Sequence, residues 1–452
     1  MSATADNPQA AILILGAGVA GLSAALHLAD AGLQPLVLEA ALAPGGRARS
    51  RFDPRCQEEL DNGPHLLMGA YTHTLHLLSR LGTRHQLLAA ATPAFTFWDR
   101  TQGWHTLTCP DWPAPWHLLA GLARFAPLSW RDGLTALRLA PALLADLAPL
   151  EQLSVTHWLA RQGQGDNICQ RLWYPLCLTT LNEPPASANA ALFAAVLKRL
   201  FLSNRQAATP LLPAVPLSQL LITPAVTAIQ QAGGAVRCRC RVQRLIFSGS
   251  HLECVQTEQG HWQRPRAVIA ALPPAALVRL LPAWAEERQI TTLRSAPIVS
   301  VHLTYAQPAT LPTALVGLPQ ETSQWLLDRN RAQGMAAHPS NGRFSAVLSG
   351  AYRERTWPAA RLIAAVHADL GRLLPALAAR PPAMARVIKE HQATFAAWPG
   401  TSACRPASQT PWDNLWLAGD WTATGLPATL EGAIWSGMQA AQKILDLLAH
   451  GR

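Results

Sequence analysis

The chain has 452 residues, enough for two or three domains or for one large domain with an inserted one. Hydrophobic residues make up 49% of it and charged residues only 14%, which excludes a disordered chain. The net charge is +10 and comes almost entirely from Arg, but no block of consecutive basic residues predicts a nucleic-acid-binding arm.

The basic surplus has two interpretations. Scattered Arg on a surface poor in charge favours an anionic membrane face, and a codon preference for Arg explains it equally well. Apolar runs are interrupted before the roughly 20 residues that span a bilayer. The start, MSATADNPQAAILIL, has no basic segment, so we expect no signal peptide. The predicted location is the cytoplasm, with possible peripheral contact on the inner membrane face.

The first predicted elements form a βαβ unit. Ile12–Leu15 reads as a short buried strand, residues 22–32 as an apolar helix that stops at a glycine, and PLVLEA as a second strand that ends in Glu39. Between strand and helix lies G-x-G-x-x-G, and the acidic residue follows about 20 positions later, which is the pattern of a dinucleotide site.

Each part of this unit has a physical reason. The glycines permit a tight turn and let the backbone approach a pyrophosphate, and the helix N-terminus supplies unpaired N–H groups and a positive dipole end. The carboxylate of Glu39 accepts hydrogen bonds from ribose hydroxyls and disfavours a 2′-phosphate. We assign the cofactor contacts of this unit to Gly16, Ala17, Gly18, Ala20, Gly21, Glu39 and Ala40.

The next segment, AALAPGGRARS, distinguishes between NAD and FAD. Gly45, Gly46 and Arg47 place flexible backbone and a forked donor where a second phosphate contact is needed. A plain turn with a surface Arg is the alternative. The segment resembles the glycine-glycine-arginine signature of the flavoprotein family that includes amine oxidases and phytoene desaturases. This resemblance implies FAD, held by a Rossmann-like domain of the glutathione-reductase/amine-oxidase type in an α/β fold with an α+β substrate domain.

Residues 61–71, DNGPHLLMGAY, place polar groups around a Gly-Pro turn. The family resemblance implies that this loop passes the flavin, with Gly63, Pro64 and His65 at the cofactor. Asp61, His65 and Tyr71 are therefore the first candidates for a catalytic acid. The alternatives are a turn cap for Asp61, a structural cofactor contact for His65 and a core position for Tyr71.

Two Pro-rich stretches, 93–127 and 205–216, are predicted to be crossings between domains. The first part of the substrate domain reads as helical, and its second part contains the strand-like PIVSVHLTYA and GRFSAVLSGAY. The resulting division gives a discontinuous FAD-binding domain of residues 8–75, 215–290 and 405–447, and a substrate domain of residues 76–214 and 291–404.

The block 217–272 is predicted to return to the cofactor domain. It reads as a helix, one strand AVRCRCRVQRLIF, a hairpin and a buried strand AVIAAL. Strict alternation puts Val236, Cys238, Cys240 and Val242 on one buried face of that strand, with the cysteines as small buried hydrophobes and not metal ligands. No metal site or disulfide framework is predicted. The resemblance implies that Val242 meets the adenine through its backbone.

Residues 171–197, RLWYPLCLTTLNEPPASANAALFAAVL, read as a helix stopped by Asn182 and Pro184 and a second helix capped near Ser187. Seven tryptophans fall between residues 98 and 173, which is typical of an apolar pocket or a membrane interface, although ordinary core and surface positions explain them too. The predicted substrate contacts are Trp173, Tyr174, Leu181 and Glu183.

Residues 415–438, LWLAGDWTATGLPATLEGAIWSGM, read as a buried strand that ends at Ala418, a Gly-Asp pair and a helix that begins near Leu430. A helix N-terminus stabilises negative charge on the pyrimidine side of reduced flavin. In the flavoprotein family the Gly-Asp pair holds the ribityl chain. The contacts implied here are Gly419, Asp420, Ala428, Thr429 and Leu430.

Together, the 61–71, 171–197 and 415–438 stretches closely resemble the squalene-associated flavoproteins, the hydroxysqualene dehydroxylases of bacterial hopanoid pathways, over essentially the whole chain. The resemblance implies that reduced FAD converts an allylic C30 alcohol, hydroxysqualene, to squalene. It also implies contact with squalene-pathway enzymes and peripheral membrane association. The reaction needs a hydride for carbon and a proton for oxygen, with Glu183 and Tyr174 as second-choice acids. An apolar pocket with aromatic faces suits the allylic cation.

Three other functions stay open. A phytoene-type desaturase transfers hydride in the opposite direction on a similar isoprenoid. An amine oxidase typically has a Lys near the flavin, but APIVSVHLTYAQP around the expected strand has none. A non-catalytic prenyl carrier, similar to Rab escort and GDP-dissociation-inhibitor proteins, would bind an isoprenoid without a working flavin.

Overall fold

The structure, a computed structural model, describes residues 12–89, 94–113, 116–335 and 340–450. Residues 8–11 of the predicted FAD-binding domain lie outside this part of the chain.

The strands, in chain order, are β1 (Ile12–Leu15), β2 (Pro35–Leu38), β3 (Ser50–Asp53), β4 (Glu58–Asp61), β5 (Leu67–Met68), β6 (Leu87–Ala89), β7 (Ala94–Asp99), β8 (Gly103–Thr108), β9 (Pro210–Pro213), β10 (Ala235–Arg237), β11 (Val242–Ser248), β12 (His251–Thr257), β13 (Gly260–Gln263), β14 (Ala267–Ala270), β15 (Ser295–Tyr305), β16 (Leu315–Gly317), β17 (Trp325–Asp328), β18 (Gly342–Ser349), β19 (Met384–Phe395) and β20 (Leu415–Leu417).

The α-helices are α1 (Val19–Asp30), α2 (Thr72–Arg80), α3 (Trp116–Arg124), α4 (Trp130–Leu137), α5 (Leu139–Leu144), α6 (Val155–Arg161), α7 (Asp166–Ile168), α8 (Tyr174–Leu181), α9 (Ala190–Leu202), α10 (Thr223–Gln231), α11 (Pro274–Leu280), α12 (Pro282–Glu287), α13 (Arg329–Ala332), α14 (Ala359–Leu373), α15 (Pro375–Ala378) and α16 (Leu430–His450). Single π-helical turns, Cys169–Trp173 and Ser218–Ile222, precede α8 and α10. Within the described residues, no helix is long and apolar enough to cross a membrane.

A five-stranded sheet in the order β10-β2-β1-β14-β20 carries the predicted βαβ unit, and every neighbouring pair in it is parallel. Parallel strands are covered on both faces, which explains why β1 is apolar and buried throughout. Ile12 and Ile14 share a core with α1, α10 and α16, and Leu13 and Leu15 pack into the core on the other face. The α/β class predicted from sequence is confirmed.

A seven-stranded sheet in the order β19-β15-β18-β17-β16-β7-β8 forms the second layer. Its neighbours are antiparallel except for β16 and β7. PIVSVHLTYA and GRFSAVLSGAY lie in β15 and β18, which pair along their length from Ile298–Ser349 to Tyr305–Gly342. All seven strands fall in residues 76–214 and 291–404, but the division into two domains stays a prediction.

The predicted single strand AVRCRCRVQRLIF is wrong, because it is two strands in two different sheets. β10 pairs with β2, and β11 pairs with β12 in a separate antiparallel sheet. Arg239, between them, has a φ of 56°, a left-handed conformation that interrupts an extended chain. The predicted alternation of exposure nevertheless holds across the break, since Val236, Cys238, Cys240 and Val242 are buried or half-buried and Arg237, Arg239 and Arg241 are exposed.

Two further boundaries differ from expectation. The cap of α9 is Asn189, whose side chain accepts a hydrogen bond from the N–H of Leu192, and not Ser187. The stretch 93–127 is more than a crossing, because its described residues contain the β7–β8 hairpin and helix α3. The alternation of aromatic residues in AFTFW is the local signal for the first strand of that hairpin.

Candidate active site

A cavity of about 1270 Å³ lies beyond the carboxyl ends of the parallel strands. Gly16 follows β1, Glu39 follows β2, Ala271 follows β14 and Gly419 follows β20, and all four residues line this cavity. Open α/β sheets bind ligands at this edge, so the strand order itself places the site.

The three glycines of the G-x-G-x-x-G motif have different structural roles. A Cβ on Gly16 would lie 2.5 Å from the carbonyl oxygen of Ala271, and a Cβ on Gly21 would lie 2.0 Å from the carbonyl oxygen of Gly16. These two glycines therefore permit close packing of backbone. A Cβ on Gly18 would meet no heavy atom within 4 Å. Gly18 is the N-cap of α1 and lines the cavity, so the open space lies at a helix N-terminus suited to a phosphate.

The carboxylate of Glu39 is held by the backbone on both sides. Its Oε2 accepts a hydrogen bond from the N–H of Ala17 at 2.7 Å, and its Oε1 accepts one from Ala41 at 2.7 Å. These bonds orient the carboxylate at the cavity wall and leave further lone pairs on each oxygen. This geometry suits an acceptor for ribose hydroxyls.

At the cavity, an ion pair joins two segments that are far apart in sequence. The Nη2 of Arg47 donates to Oδ1 of Asp420 at 2.6 Å, and its Nη1 donates to the carbonyl oxygen of Ala393 at 2.7 Å. Two residues beyond Arg47, Arg49 also lines the cavity, and its Nε is buried without a hydrogen-bond partner in the described part of the chain. Burial lowers the pKa of the Arg49 guanidinium, so an anionic ligand would relieve its desolvation.

The remaining cofactor residues come from three distant segments. Helix α16 begins at Leu430, and its first turn faces the cavity, so a positive helix end points into it. Of the predicted cofactor residues, only Ala17 and Gly21 are missing from the cavity lining of the described chain. Those that do line it are Gly16, Gly18, Ala20, Glu39, Ala40, Gly45, Gly46, Arg47, Gly63, Pro64, His65, Val242, Gly419, Asp420, Ala428, Thr429 and Leu430.

These features fit FAD on physical grounds. The open space at Gly18, the unpartnered Nε of Arg49 and the N-terminus of α16 are three separate positions for negative charge or a hydrogen-bond acceptor. All three border one cavity. A dinucleotide with a pyrophosphate and a flavin ring offers acceptors for each of them.

The 61–71 loop presents His65 and not Asp61 to the cavity. His65 lines it, and the Nδ1 of its ring is 2.7 Å from the carbonyl oxygen of Gly63. A carbonyl only accepts, so Nδ1 carries a proton and Nε2 is the nitrogen free to exchange one. Tyr71 also lines the cavity, but burial and the carboxylate of Glu431 raise its pKa, so its hydroxyl is a poor acid.

Asp61 does not occupy the position predicted for it. It is absent from the described cavity lining, and its Oδ1 accepts hydrogen bonds from Ser50 Oγ at 2.6 Å and from the N–H of Leu217 at 3.0 Å. Burial raises its pKa, more than nearby His65 and these hydrogen bonds lower it. Through these hydrogen bonds Asp61, the last residue of β4, ties the loop to the segments that contain Ser50 and Leu217.

The predicted substrate contacts lie outside the cavity lining. Trp173, Tyr174, Leu181 and Glu183 do not line the cavity among the described residues. The indole N–H of Trp173 donates to Gln164 Oε1 at 2.9 Å, inside the protein. The carboxylate of Glu183 is fully buried, accepts a hydrogen bond from the hydroxyl of Tyr352, and has a pKa raised by burial.

One face of α8 and of the π-helical turn before it does line the cavity. Leu172, Pro175, Leu176, Thr179 and Thr180 recur at the spacing of one helical stripe. The predicted contacts therefore lie off this stripe, and their contact with substrate stays a prediction. Neither side of α8 carries a charged residue, so periodicity alone did not distinguish them.

The rest of the apolar lining was not anticipated. The segment predicted to be a crossing contributes Phe95, Phe97, Leu107, Leu118 and Leu122, and Phe201 and Trp325 are among the lining side chains from other segments. The lysine typical of amine oxidases is not among the described lining residues. Lys389, on β19, instead donates to the carbonyl oxygen of Trp357 at 2.5 Å.

Comparison with known proteins agrees with this site. The family described as flavin containing amine oxidoreductase matches residues 19–445. The chain is 33% identical to a hydroxysqualene dehydroxylase of Rhodopseudomonas palustris over 96% of its own length and 97% of the relative's. It is 31% identical to a protein of the same name from Sinorhizobium fredii over 96% and 98% of the two chains. A 15-cis-phytoene desaturase of Capsicum annuum is 26% identical, over 96% of this chain and 78% of the relative.

Solved structures show the same fold. Cyclohexylamine oxidase from Brevibacterium oxydans superposes with a TM-score of 0.72 at 18% identity. The superposition covers 98% of this chain and 100% of the oxidase chain. The chain belongs to the flavin-containing amine oxidoreductase family, on its hydroxysqualene dehydroxylase branch. The family predicted from sequence is thereby confirmed, and with it FAD as the cofactor.

Proposed function

We propose that the protein removes the hydroxyl group of hydroxysqualene by FAD-dependent reduction, which yields squalene. The observation that carries this proposal is the continuity of one cavity from the dinucleotide motifs to an aromatic and aliphatic wall. Its volume, about 1270 Å³, exceeds the ~300–1,000 Å³ of a typical single-ligand pocket. It is suited to FAD and a long hydrocarbon side by side.

The chain's residues would hold FAD by the contacts described above. Gly18 and the N-terminus of α1 would bind the pyrophosphate, and Glu39 would bind the ribose. Arg47 and Arg49 would contact phosphate oxygens, and Asp420 the ribityl chain. When bound in its reduced state, FAD supplies the hydride that replaces the hydroxyl group. We assign residues 8–75, 215–290 and 405–447 to this FAD-binding domain, and the remainder to the substrate domain.

His65 would supply the proton that the leaving hydroxyl group takes away as water. Its Nδ1 is committed to Gly63, so the imidazolium form would present the Nε2 proton to the cavity. The faces of Phe95, Phe97 and Trp325 would stabilise positive charge at the allylic carbon as the hydroxyl departs. The apolar lining also excludes water, which would otherwise compete for that carbon.

Anaerobic turnover tests the proposal. Reduced holoprotein mixed with hydroxysqualene should produce squalene with one flavin reoxidised per product formed. Squalene itself, which lacks the hydroxyl group, is the matched control and should leave the flavin reduced. Absence of squalene in the first arm would contradict the proposal. Formation of a conjugated polyene from an isoprenoid by the oxidised enzyme would instead establish a desaturase, and a purified protein without a flavin absorption band would favour a carrier.

Membrane contact and association with other enzymes of squalene synthesis are further parts of the proposal. Both the substrate and the product of this reaction are water-insoluble hydrocarbons. A peripheral position on a bilayer would give the cavity direct access to them.

A further inference from the structure

Helices α4 and α5 carry an exposed apolar stripe. Trp130, Leu134, Leu137, Pro141 and Leu144, here called the outer stripe, follow one another at steps of four and three residues. Arg138, between the two helices, keeps helical dihedral angles, so the stripe continues from one helix to the next. Trp130 and Leu144 are each 69% exposed and Leu134 is 54% exposed.

Folding does not need these side chains buried. The opposite face of the same helices, with Ala136, Leu139 and Leu143, already packs into the large core around Trp158. Isolated exposed hydrophobes are ordinary on proteins, but a contiguous row marks a contact surface. Trp112 and Trp116, just before and on the neighbouring helix α3, are also exposed, by 49% and 62%.

The stripe lies beside the cavity. Helix α3 packs against α4, and its inner residues Leu118 and Leu122 line the cavity, whereas Trp116 at its start faces outward. One helix therefore separates the outer stripe from the apolar wall of the site.

Exposed arginines lie around the stripe, and one exposed carboxylate, Asp146, follows its last residue. Arg124, Arg131 and Arg138 are exposed, and the guanidinium of Arg131 lies 5.3 Å from the ring centre of Trp130. The other acidic residue of this segment, Asp132, is occupied in a capping box with Ser129 and accepts a hydrogen bond from Asn167. Tryptophan next to arginine on an apolar face is the composition that anionic bilayer surfaces attract.

We propose that the outer stripe docks the protein on the surface of an anionic lipid bilayer, and that the isoprenoid enters the cavity from the bilayer beside α3. The entry route rests on the function proposed above. The docking itself does not, so the two are separated by measuring binding and turnover independently.

Vesicle sedimentation tests the docking. Wild-type holoprotein should bind vesicles of phosphatidylcholine with phosphatidylglycerol more tightly than vesicles of phosphatidylcholine alone. In the variant Trp130→Ser/Leu134→Ser the partition coefficient should fall at least about tenfold on both kinds of vesicle. The variant Arg131→Gln/Arg138→Gln should lose mainly the preference for phosphatidylglycerol. Leu447→Ser, at an exposed position on α16, is the matched control and should bind as the wild type does.

Turnover tests the entry route. With hydroxysqualene dissolved in vesicles, kcat/KM of Trp130→Ser/Leu134→Ser should fall in parallel with its binding, and with hydroxysqualene in detergent it should match the wild type. Unchanged vesicle binding in this variant would overturn the docking, as would a wild-type protein that does not bind vesicles. A dimer in light scattering that the variant converts to a monomer, without vesicle binding, would assign the stripe to a second copy and also overturn it. If the variant loses vesicle binding but neither it nor the wild type converts hydroxysqualene in any preparation, the docking is supported and the proposed function is contradicted.

Discussion

Adding one methyl group at Gly18 and at Gly21, two glycines of the same motif, should affect different properties of the protein. Gly18→Ala adds a Cβ that meets no protein atom within 4 Å, at a φ of −70° and a ψ of 175° that alanine adopts freely. Gly21→Ala adds a Cβ 2.0 Å from the carbonyl oxygen of Gly16, which the backbone must move to relieve. The first change should affect the cofactor, and the second should affect folding.

The magnitudes follow from overpacking. A methyl group forced into a filled space costs about 1–3 kcal/mol, which in a binding equilibrium is a loss of about 5- to 150-fold. Gly18→Ala should therefore weaken FAD binding within that range and change apoprotein stability by less than about 1 kcal/mol. Gly21→Ala should lower the free energy of unfolding by about 3 kcal/mol or more, since the atom approached is backbone.

Two measurements on each protein separate these effects. FAD titration of apoprotein by fluorescence gives the dissociation constant, and thermal unfolding of apoprotein by circular dichroism gives the stability. Gly133→Ala is the matched control, because its Cβ also meets no atom within 4 Å but lies far along the chain on α4. If Gly18→Ala binds FAD as tightly as the wild type, the pyrophosphate does not pass over Gly18 at the N-terminus of α1.

Two further predictions concern the 61–71 loop. His65→Ala should reduce turnover by about 10²- to 10⁴-fold while FAD stays bound, with partial rescue by added imidazole, and an undiminished rate would show that another group is the acid. Asp61 has a pKa raised in the folded state, so the folded protein loses stability as the pH rises from the unfolded value near ~3.9 through the folded one. Asp61→Asn keeps an oxygen for Ser50 and Leu217 but does not ionise. The melting temperature of Asp61→Asn relative to that of the wild type should therefore be higher at pH 7 than at pH 4. Its loss of turnover should be much smaller than that of His65→Ala. An equal difference in melting temperature at both pH values would contradict this.

Local sequence was sufficient for the nucleotide end of the site. The strand Ile12–Leu15, the glycines and Glu39 lie within one continuous segment, and the geometry that joins them is set by neighbouring residues. The final Gly-Asp and the start of α16 were likewise read from a short motif. Such features depend on backbone sterics and helix termini, which are local properties.

The substrate side depended on packing between distant segments. Leu176 and Leu181 both lie in α8, and neither propensity nor periodicity distinguishes them, but the tertiary structure places Leu176 on the cavity wall and Leu181 in the core. In the same way, pairing of β10 with β2 ends a strand that alternation alone would have continued to Phe247.

Sequence by itself therefore determined the class of fold, the cofactor motif and the loop that carries the candidate acid. Tertiary structure decided which side of each element lines the cavity: His65 and not Asp61, and the Leu176 face of α8 and not the Leu181 face. The physical reason is that a periodic pattern specifies which residues share a face, whereas the partner that buries that face is brought there by chain segments far away in sequence.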